Sequence, residues 1–295
     1  EMKKQARDFQ ATMQKDAGAI AAALTALLGP PSADRFGQGS QTRESVRRWD
    51  WNGHAILLAA PKDEYVALRI LPLDVANAHG KSRITDAELR QRLLSRVEKR
   101  ANGDVVLKDM PMVDQGPKGY CVPATWERVM RYMAIPADMY VLAMAGDTGA
   151  GGGTNIAAII SGVRESVIRG GRRLDPENGK ISIRTVEKYI NKGLPLMWGM
   201  YSMDSVNADL NSRMDRRAAM ADPLEWKKSL DPARKAAKKI PTDINQGHMC
   251  MIIGYNEKTG EIAVSDSWGP RYAERWMTEE EANAVSQGQL MAINF

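Results

Sequence analysis

The sequence predicts an α+β fold, in which a helical part is followed by an antiparallel sheet and preceded by a small helix-plus-β-meander domain. Between residues 121 and 191 apolar side chains recur at helical spacing, whereas beyond residue 194 the apolar runs are short and resemble strands. Helices first and strands afterwards is an order typical of α+β domains. A length of 295 residues accommodates one substantial core and a smaller domain, and we expect the division at residues 1–100 and 101–295.

The first hundred residues carry the pattern of a helix and a β-meander, whose role the sequence does not indicate. We predict a helix that ends at Leu28 and a loop rich in Gly, Pro and Ser that runs to Ser40. The pair Asn52-Gly53 is typical of a tight hairpin turn and therefore indicates strands on both sides. The three expected strands contain Trp49 and Trp51, residues 54–60, and Val66 to Ile70.

Caps and apolar spacing predict the elements of the larger domain. Thr85 and Glu88 form a capping-box pattern, which predicts a helix that runs toward Arg100 and links the two domains. The segment after Cys121 should be helical, because apolar residues recur at i, i+3, i+4 and i+7 from Trp126. Two further helices are expected at residues 154–168 and 185–191, and strands at residues 194–200, 248–255, 261–267 and 290–294.

Composition excludes several classes of function. The 41 basic and 36 acidic residues leave a net charge of only +5 and are interspersed, so no nucleic-acid partner is expected. The two cysteines, Cys121 and Cys250, are too few for a disulfide framework and allow a single bridge. No cofactor and no metal site is predicted. The glycine-rich run at 149–153 lacks the Gly-Lys-Ser/Thr ending of a phosphate loop, and we expect it either to border a substrate cleft or to be a plain loop.

The longest apolar run, residues 17–28, bears on membrane association. It is shorter than the roughly 20 apolar residues that cross a bilayer, so no membrane span is predicted. The run could be the core of a signal peptide, but Asp8 and Asp16 favour an amphipathic helix. The compartment stays open, with an extracytoplasmic location after signal removal favoured, and the oligomeric state stays open as well.

Residues 202–244 interrupt the expected strands with mixed charge and with prolines at 223, 232 and 241. We interpret this segment as a partly helical insertion, and its basic run at 234–239 as a solvated helix face. Because the insertion joins the strand at 194–200 to His248, we expect it to emerge near the cleft and to act as a lid.

Gln115 and Cys121 have a spacing with a chemical use. Cys121 would open a helix, where unpaired N–H groups favour the thiolate. Gln115 stands six positions earlier on a glycine-containing turn, from which its amide can join the Cys121 N–H as the second donor to a tetrahedral oxyanion. Taken alone, Cys121 would more simply be a buried helix cysteine.

His248 and Asp266 complete the pattern. His248 begins an apolar strand, and Asp266 ends the next one across a turn, so pairing of the strands would bring the carboxylate beside the imidazole. Trp268 could then shield their hydrogen bond from water. Substitution of Asp266 by Asn should be milder than substitution by Ala, because an amide oxygen can still accept the hydrogen bond from the imidazole.

These motifs resemble those of the papain-like cysteine peptidases, in which a Gln stands six residues before the nucleophile, the His follows a Gly, and the orienting residue lies in Asn-Ser-Trp-Gly. Here Asp266-Ser267-Trp268-Gly269 has Asp for Asn, and Val122 replaces the aromatic residue after the cysteine. Both departures are more similar to the bacterial double-glycine-leader peptidase branch, which uses Cys, His and Asp. The resemblance covers residues 110–295 apart from the insertion and implies a papain-like peptidase domain.

The function that this resemblance implies is hydrolysis of a peptide or protein substrate through a Cys121 acyl-enzyme. His248 would be the general base and acid, Asp266 its orienting partner, and Gln115 an oxyanion donor. Acyl transfer to an amine, or an amidase activity, could use the same site. A third alternative is a non-catalytic module that binds a peptide in the cleft.

Overall fold

The computed structural model describes residues 2–37, 43–61, 65–80, 84–149 and 153–295. It combines helices with two antiparallel sheets, which confirms the predicted α+β class. The helices are α1 Met2–Leu28, α2 Leu73–Asn77, α3 Asp86–Ser95, α4 Cys121–Tyr132, α5 Met139–Ala145, α6 Ile156–Arg169, α7 Ile183–Ile190, α8 Asp204–Ala218, α9 Pro223–Ser229, α10 Asp231–Ala237 and α11 Glu279–Val285. The strands are β1 Ser32–Phe36, β2 Glu44–Trp51, β3 His54–Ala59, β4 Ala67–Pro72, β5 Val97–Lys99, β6 Val105–Leu107, β7 Arg173–Asn178, β8 Leu196–Tyr201, β9 Gly247–Asn256, β10 Glu261–Ser265, β11 Arg275–Thr278 and β12 Ser286–Asn294.

The small sheet is a meander in the order β1-β2-β3-β4, with α1 against one face. Trp49 and Ile56 pack with Ala21 of α1, and the indole N–H of Trp49 donates to the Gly29 carbonyl at 3.0 Å. The predicted loop before Ser40 is wrong in part, because β1 lies within it and pairs with β2. Gly29, Pro30 and Pro31 mark only the turn out of α1, and Ser40 itself lies outside the described residues.

The large sheet runs β11-β10-β9-β8-β12-β7, and the β5–β6 hairpin adds to it through β9. Helix α4 packs against β9, and its Trp126, Val129 and Met130 are buried, as the helical spacing predicts. Helices α6 and α7 and strands β8, β9, β10 and β12 also match their predictions within a few residues at each end. The central strand β9 therefore contacts both α4 and α7, whereas β11 at the edge of the sheet contacts α8.

The helix predicted after Thr85 is shorter than expected. The Thr85–Glu88 capping box is formed, which confirms where α3 begins, but α3 ends at Ser95 and Val97 starts strand β5. The predicted division at residue 100 falls inside the β5–β6 hairpin, and Leu89 packs in the core of the large sheet. The separation of the chain into two domains stays a prediction.

The two sheets meet at helix α5. Val141 of α5 is part of the apolar cluster of the small sheet, and Tyr140 contacts Tyr65 at 5.1 Å between ring centroids. The carboxylate of Asp138 caps α5 by accepting from the N–H groups of Tyr140 and Val141. The same carboxylate pairs with Arg69 of β4 at 2.8 Å, so one side chain both starts a helix and joins the sheets.

Helices α8, α9 and α10 form the insertion, which is partly helical as predicted. Helix α8 packs on β11, and buried ion pairs join it to the neighbouring elements. Arg213 binds Glu281 at 2.6 Å, and Arg217 binds Asp104 at 2.6 Å and Glu261 at 2.8 Å. All five of these side chains are at most 8% exposed, so the insertion is part of the folded core at the sheet edge. Among the residues in view, none of the helices has the length and apolarity to cross a membrane.

Candidate active site

Cys121 is the first residue of α4, at the end of a tight turn. Gly116–Lys118 forms a single 3-10 turn, and Gly119 follows with φ of +72°, a conformation that favours glycine and lets the chain reverse into the helix. Pro123 falls in the first helical turn, where its missing N–H breaks no intrahelical hydrogen bond. Within this turn the Val122 N–H donates to the Cys121 sulfur.

His248 lies near the start of β9 and faces Asp266, which directly follows β10. The two strands pair across a turn with an irregularity between Ala263 and Val264. His248 Nε2 and Asp266 Oδ1 are 2.8 Å apart, and both side chains are at most 5% exposed. Because a carboxylate can only accept, Nε2 carries the proton, and Nδ1 is left for Cys121. The hairpin predicted from the sequence thus brings these two residues together.

The electrostatics of the site favour a thiolate–imidazolium pair. Burial raises the pKa of the Cys121 thiol, but the hydrogen bond to His248 and N–H donors from Met249 and Val122 outweigh it, so this pKa lies below its ordinary value. Burial lowers the pKa of His248, but hydrogen bonds to Asp266 and Cys121 outweigh it and raise that pKa to about 9. Both shifts favour transfer of the thiol proton to the imidazole.

Trp268 covers the His248–Asp266 hydrogen bond. Its ring stacks on the imidazole with centroids 4.8 Å apart and planes at 29°. Tyr272 meets Trp268 edge-on at 5.6 Å, and its carbonyl accepts from the Asp266 N–H at 3.0 Å. Exclusion of water from this hydrogen bond strengthens it, because the local dielectric constant is low.

Gln115 lies beside Cys121 at the rim of the cleft. Its N–H donates to the carbonyl of Ser267 at 2.8 Å, which ties the turn before Cys121 to the segment after Asp266. Its side-chain Oε1 is buried and has no hydrogen-bond partner among the residues in view. The four residues singled out in the sequence thus meet at one place, while their catalytic roles stay predictions.

The cleft between these residues has a volume of about 450 Å³. Four of its wall positions are glycines, Gly119, Gly153, Gly199 and Gly247, which leave room for an extended chain. The predicted border with the glycine-rich run holds at Gly153 and the next residue, while residues 150–152 lie outside the described residues.

The insertion does not cover this cleft. Its first residue, Ser202, lies along the wall, as do Asn245 and Gln246 just after its last residue, so the insertion emerges near the cleft as predicted. Its helices pack at the far edge of the sheet, on β11 and α11. The predicted lid is wrong for this structure. The basic run is not wholly solvated either, because Arg234 donates to the Thr259 carbonyl and pairs with Glu280.

Cys250 lies two residues after His248 and is chemically unlike Cys121. It is fully buried, and burial raises its pKa well above the ordinary value. Its thiol contacts the sulfur of Met200 at 3.7 Å. Both cysteines are free, so the one bridge that the composition allows is not formed.

Two buried arginines behind Asp266 were not predicted. Arg275 of β11 donates to Asp266 Oδ2 at 2.7 Å, and Arg128 of α4 donates to the hydroxyls of Ser265 and Ser267 on either side of it. Burial lowers the pKa of Arg128 to about 10, although the nearby Asp266 opposes this. Burial raises the pKa of Asp266, but its bonds to His248 and Arg275 outweigh this and keep it ionised. A signal in the sequence existed only for Arg128, as a charge within the apolar helix α4.

Comparison with known proteins agrees with this geometry. The profile described as the Peptidase_C39 like family matches residues 107–287, which is more than half of the chain and contains all four candidate residues. No curated protein matches the chain in sequence. The family also agrees with the resemblance to papain-like peptidases noted from the motifs, and with an activity of the cysteine peptidase type. The chain belongs to the Peptidase_C39-like family.

Proposed function

We propose that this protein is a cysteine peptidase that hydrolyses peptide bonds through an acyl-enzyme on Cys121. One observation carries the proposal: a half-buried thiol at a helix N-terminus touches an imidazole that is held by a buried carboxylate and covered by an indole. A structural cysteine needs none of these partners. The fully buried Cys250 of the same chain has none of them and provides the contrast.

The reaction would begin with the thiolate of Cys121 and the imidazolium of His248. The sulfur attacks the peptide carbonyl carbon, and the C–N bond breaks as His248 Nδ1 gives its proton to the leaving amine. A water molecule then adds to the thioester and passes one proton back to Nδ1. Cleavage of the C–S bond releases the carboxylic acid and restores the ion pair.

The oxyanion of each tetrahedral intermediate would be bound by the Cys121 N–H and the side-chain amide of Gln115. The first donor is free because it belongs to the first turn of α4. The second is supported by the 2.8 Å bond that fixes the Gln115 backbone to Ser267. Loss of one such donor typically lowers the rate about 10²- to 10³-fold.

The glycines along the cleft support an extended polypeptide as the substrate. Gly153 and Gly247 line the same cleft as Cys121 and His248, and a backbone can approach closely where the wall carries no side chain. A side chain at Gly199 would meet Gln287 at 3.1 Å and narrow the cleft. Substitution of Gly199 by Val should therefore raise KM for peptides more than it changes the reactivity of the thiol itself.

The test is cleavage of a mixed peptide library, analysed by mass spectrometry, with wild type, Cys121→Ala and Cys250→Ala. We expect cleavage by wild type and by the Cys250 variant, and none by the Cys121 variant. Cleavage that survives in Cys121→Ala would contradict the nucleophile. Binding of peptides without cleavage by wild type would indicate a binding module, and products joined to added amines would indicate an acyl transferase.

A further inference from the structure

Asp266 is held from both sides. Its Oδ1 accepts from His248 Nε2 at 2.8 Å, and its Oδ2 accepts from Arg275 Nη2 at 2.7 Å. Arg275 is 3% exposed and Asp266 1%, so neither oxygen has water as an alternative partner. The two hydrogen bonds, one to each oxygen, therefore fix the orientation of the carboxylate.

Arg275 is in turn held by helix α8 of the insertion. Its Nη2 also donates to Asn207 Oδ1 at 3.0 Å, and its Nη1 donates to Asn211 Oδ1 at 3.1 Å. The amide of Asn207 donates to the hydroxyl of Ser202 at 2.9 Å, and Ser202 lies on the cleft wall. A continuous path of hydrogen bonds therefore runs from the cleft through α8 to the carboxylate behind the imidazole.

We propose that Arg275, fixed by Asn207 and Asn211, is a positioning residue that orients Asp266 and thereby imposes the Nε2–H tautomer of His248. The contribution to peptide hydrolysis rests on the proposed function, whereas the tautomer does not. Only the Nε2–H tautomer leaves Nδ1 free to take the proton of the Cys121 thiol, which breaks the S–H bond and gives thiolate and imidazolium.

Arg275 also accounts for an aspartate where the resembling peptidases have asparagine. An amide at 266 has one acceptor and one donor, whereas its two neighbours are both donors. The charged guanidinium binds the amide oxygen more strongly than the neutral imidazole does, so the NH₂ group would face His248. His248 Nε2 would then have to accept, and the proton would move to Nδ1, where it blocks transfer from Cys121.

With Arg275 in place, Asp266→Asn is no longer expected to be milder than Asp266→Ala. We expect Asp266→Asn to shift His248 to the Nδ1–H tautomer and to lower the acylation rate about 10³- to 10⁴-fold, as an incorrect histidine tautomer does in a triad. Adding Arg275→Met removes the competing donor, and the amide oxygen can then face His248. The double variant should regain the Nε2–H tautomer and at least about tenfold in rate relative to Asp266→Asn.

The tautomer can be read directly, because the chain has three histidines, His54, His79 and His248. An imidazolium is protonated on both nitrogens, so the tautomer is read in the Cys121→Ala background at a pH at which His248 is neutral. There, ¹⁵N-labelled histidine would give the shifts of the two ring nitrogens of His248 with Asp266 and Arg275 intact, with each single substitution and with both. The rate of Cys121 alkylation by iodoacetamide at pH 6 would be measured in parallel. Failure of peptide cleavage in wild type would refute the proposed function and leave the NMR test of Arg275 intact.

Arg213→Met is the matched control. Arg213 lies on α8, is buried and pairs with Glu281 at 2.6 Å, but the pair does not include Asp266. It should lower stability like Arg275→Met without changing the His248 tautomer. If the double variant does not fold, a second one combines Asp266→Asn with Asn207→Asp. The carboxylate that pairs with Arg275 is then at position 207 instead of 266, so Arg275 stays paired. This variant should also restore the Nε2–H tautomer of His248.

The proposal is overturned if Asp266→Asn already has the Nε2–H tautomer. It is also overturned if His248 in both rescue variants stays in the Nδ1–H form.

Discussion

The difference in reactivity between Cys121 and Cys250 gives the sharpest test of the site. Substitution of His248 by Ala removes the strongest contact that lowers the pKa of Cys121 and leaves the burial that raises it, so the pKa of this thiol should rise. A thiol with the free pKa of about 8.5 is only about 0.3% ionised at pH 6. If wild type is mostly thiolate at pH 6, the variant should alkylate at least about tenfold and up to about 300-fold more slowly, since a low-pKa thiolate is also a weaker nucleophile.

The assay is iodoacetamide labelling between pH 5 and 9, followed at each cysteine by peptide mass spectrometry. Wild-type Cys121 should label rapidly at the acidic end, and in His248→Ala its rate should climb about tenfold for each pH unit. The fully buried Cys250 is the internal standard, and exposed His54 offers a control substitution to Ala. Equal, slow labelling of both cysteines that rises only near the free-thiol pKa would refute the nucleophile.

Peptide cleavage and alkylation both use Cys121, but their rates should respond differently to high pH. The pKa of His248 is raised from its ordinary value near 6.5 to about 9, so its proton is present below that pH and lost as pH rises through it. Peptide cleavage needs this proton for the leaving amine and should fall above about pH 9. Alkylation needs only the thiolate and should not fall. Parallel decline of both rates would indicate unfolding instead, which circular dichroism would detect.

Further predictions concern the oxyanion donor and the insertion. Gln115→Ala should lower the acylation rate about 10²- to 10³-fold with an unchanged circular dichroism spectrum, and a change below about threefold would remove Gln115 from the site. Arg217→Met leaves buried Glu261 without its cation and should lower the free energy of unfolding in urea by about 3–5 kcal/mol, whereas Arg216→Met on the exposed side of α8 should change it by less than about 0.5 kcal/mol. Replacement of residues 203–244 by a Gly/Ser linker removes both asparagines that hold Arg275 and should abolish the rapid labelling of Cys121 at pH 6; full retention of that labelling would show that α8 is dispensable.

The elements that the sequence predicted correctly share a local cause. Helix α4 has an uninterrupted apolar stripe, α3 has a capping box, and β9 and β10 are apolar runs separated by a turn. The candidate residues could be found for the same reason, because Gln115 and Cys121 flank one turn and Asp266 ends one strand. Local spacing places each of them near the end of a helix or strand, and the β9–β10 hairpin then brings His248 next to Asp266.

The elements that were missed depend on contacts remote in sequence. Strand β7 contains Pro176, which argues against a central strand but is tolerated here because β7 lies at the edge of the sheet. Strand β11 has four residues, too few to show a period. Val97 continued the helical spacing of α3 by coincidence and lies in β5.

The lid failed as a prediction for a related reason. What holds α8 at the sheet edge is a set of buried ion pairs with partners such as Asp104 and Glu281, far away in the sequence. Charges on a helix look the same in a sequence whether they face water or a buried carboxylate. The role of Arg275 could not be predicted for the same reason. Its partners lie on the insertion, and local sequence patterns do not show where the insertion packs.

The double use of Asp138 has a consequence for any shortened form of this protein. A chain that started after residue 100 would lack Arg69 and Tyr65, so Asp138 would cap α5 without its counter-charge, and Val141 would be open to water. Tyr140 also touches Tyr120, the residue before Cys121, at 6.1 Å. The meander therefore supports the turn that precedes Cys121. A protein shortened in this way should be less soluble and should have a less ordered start of α4.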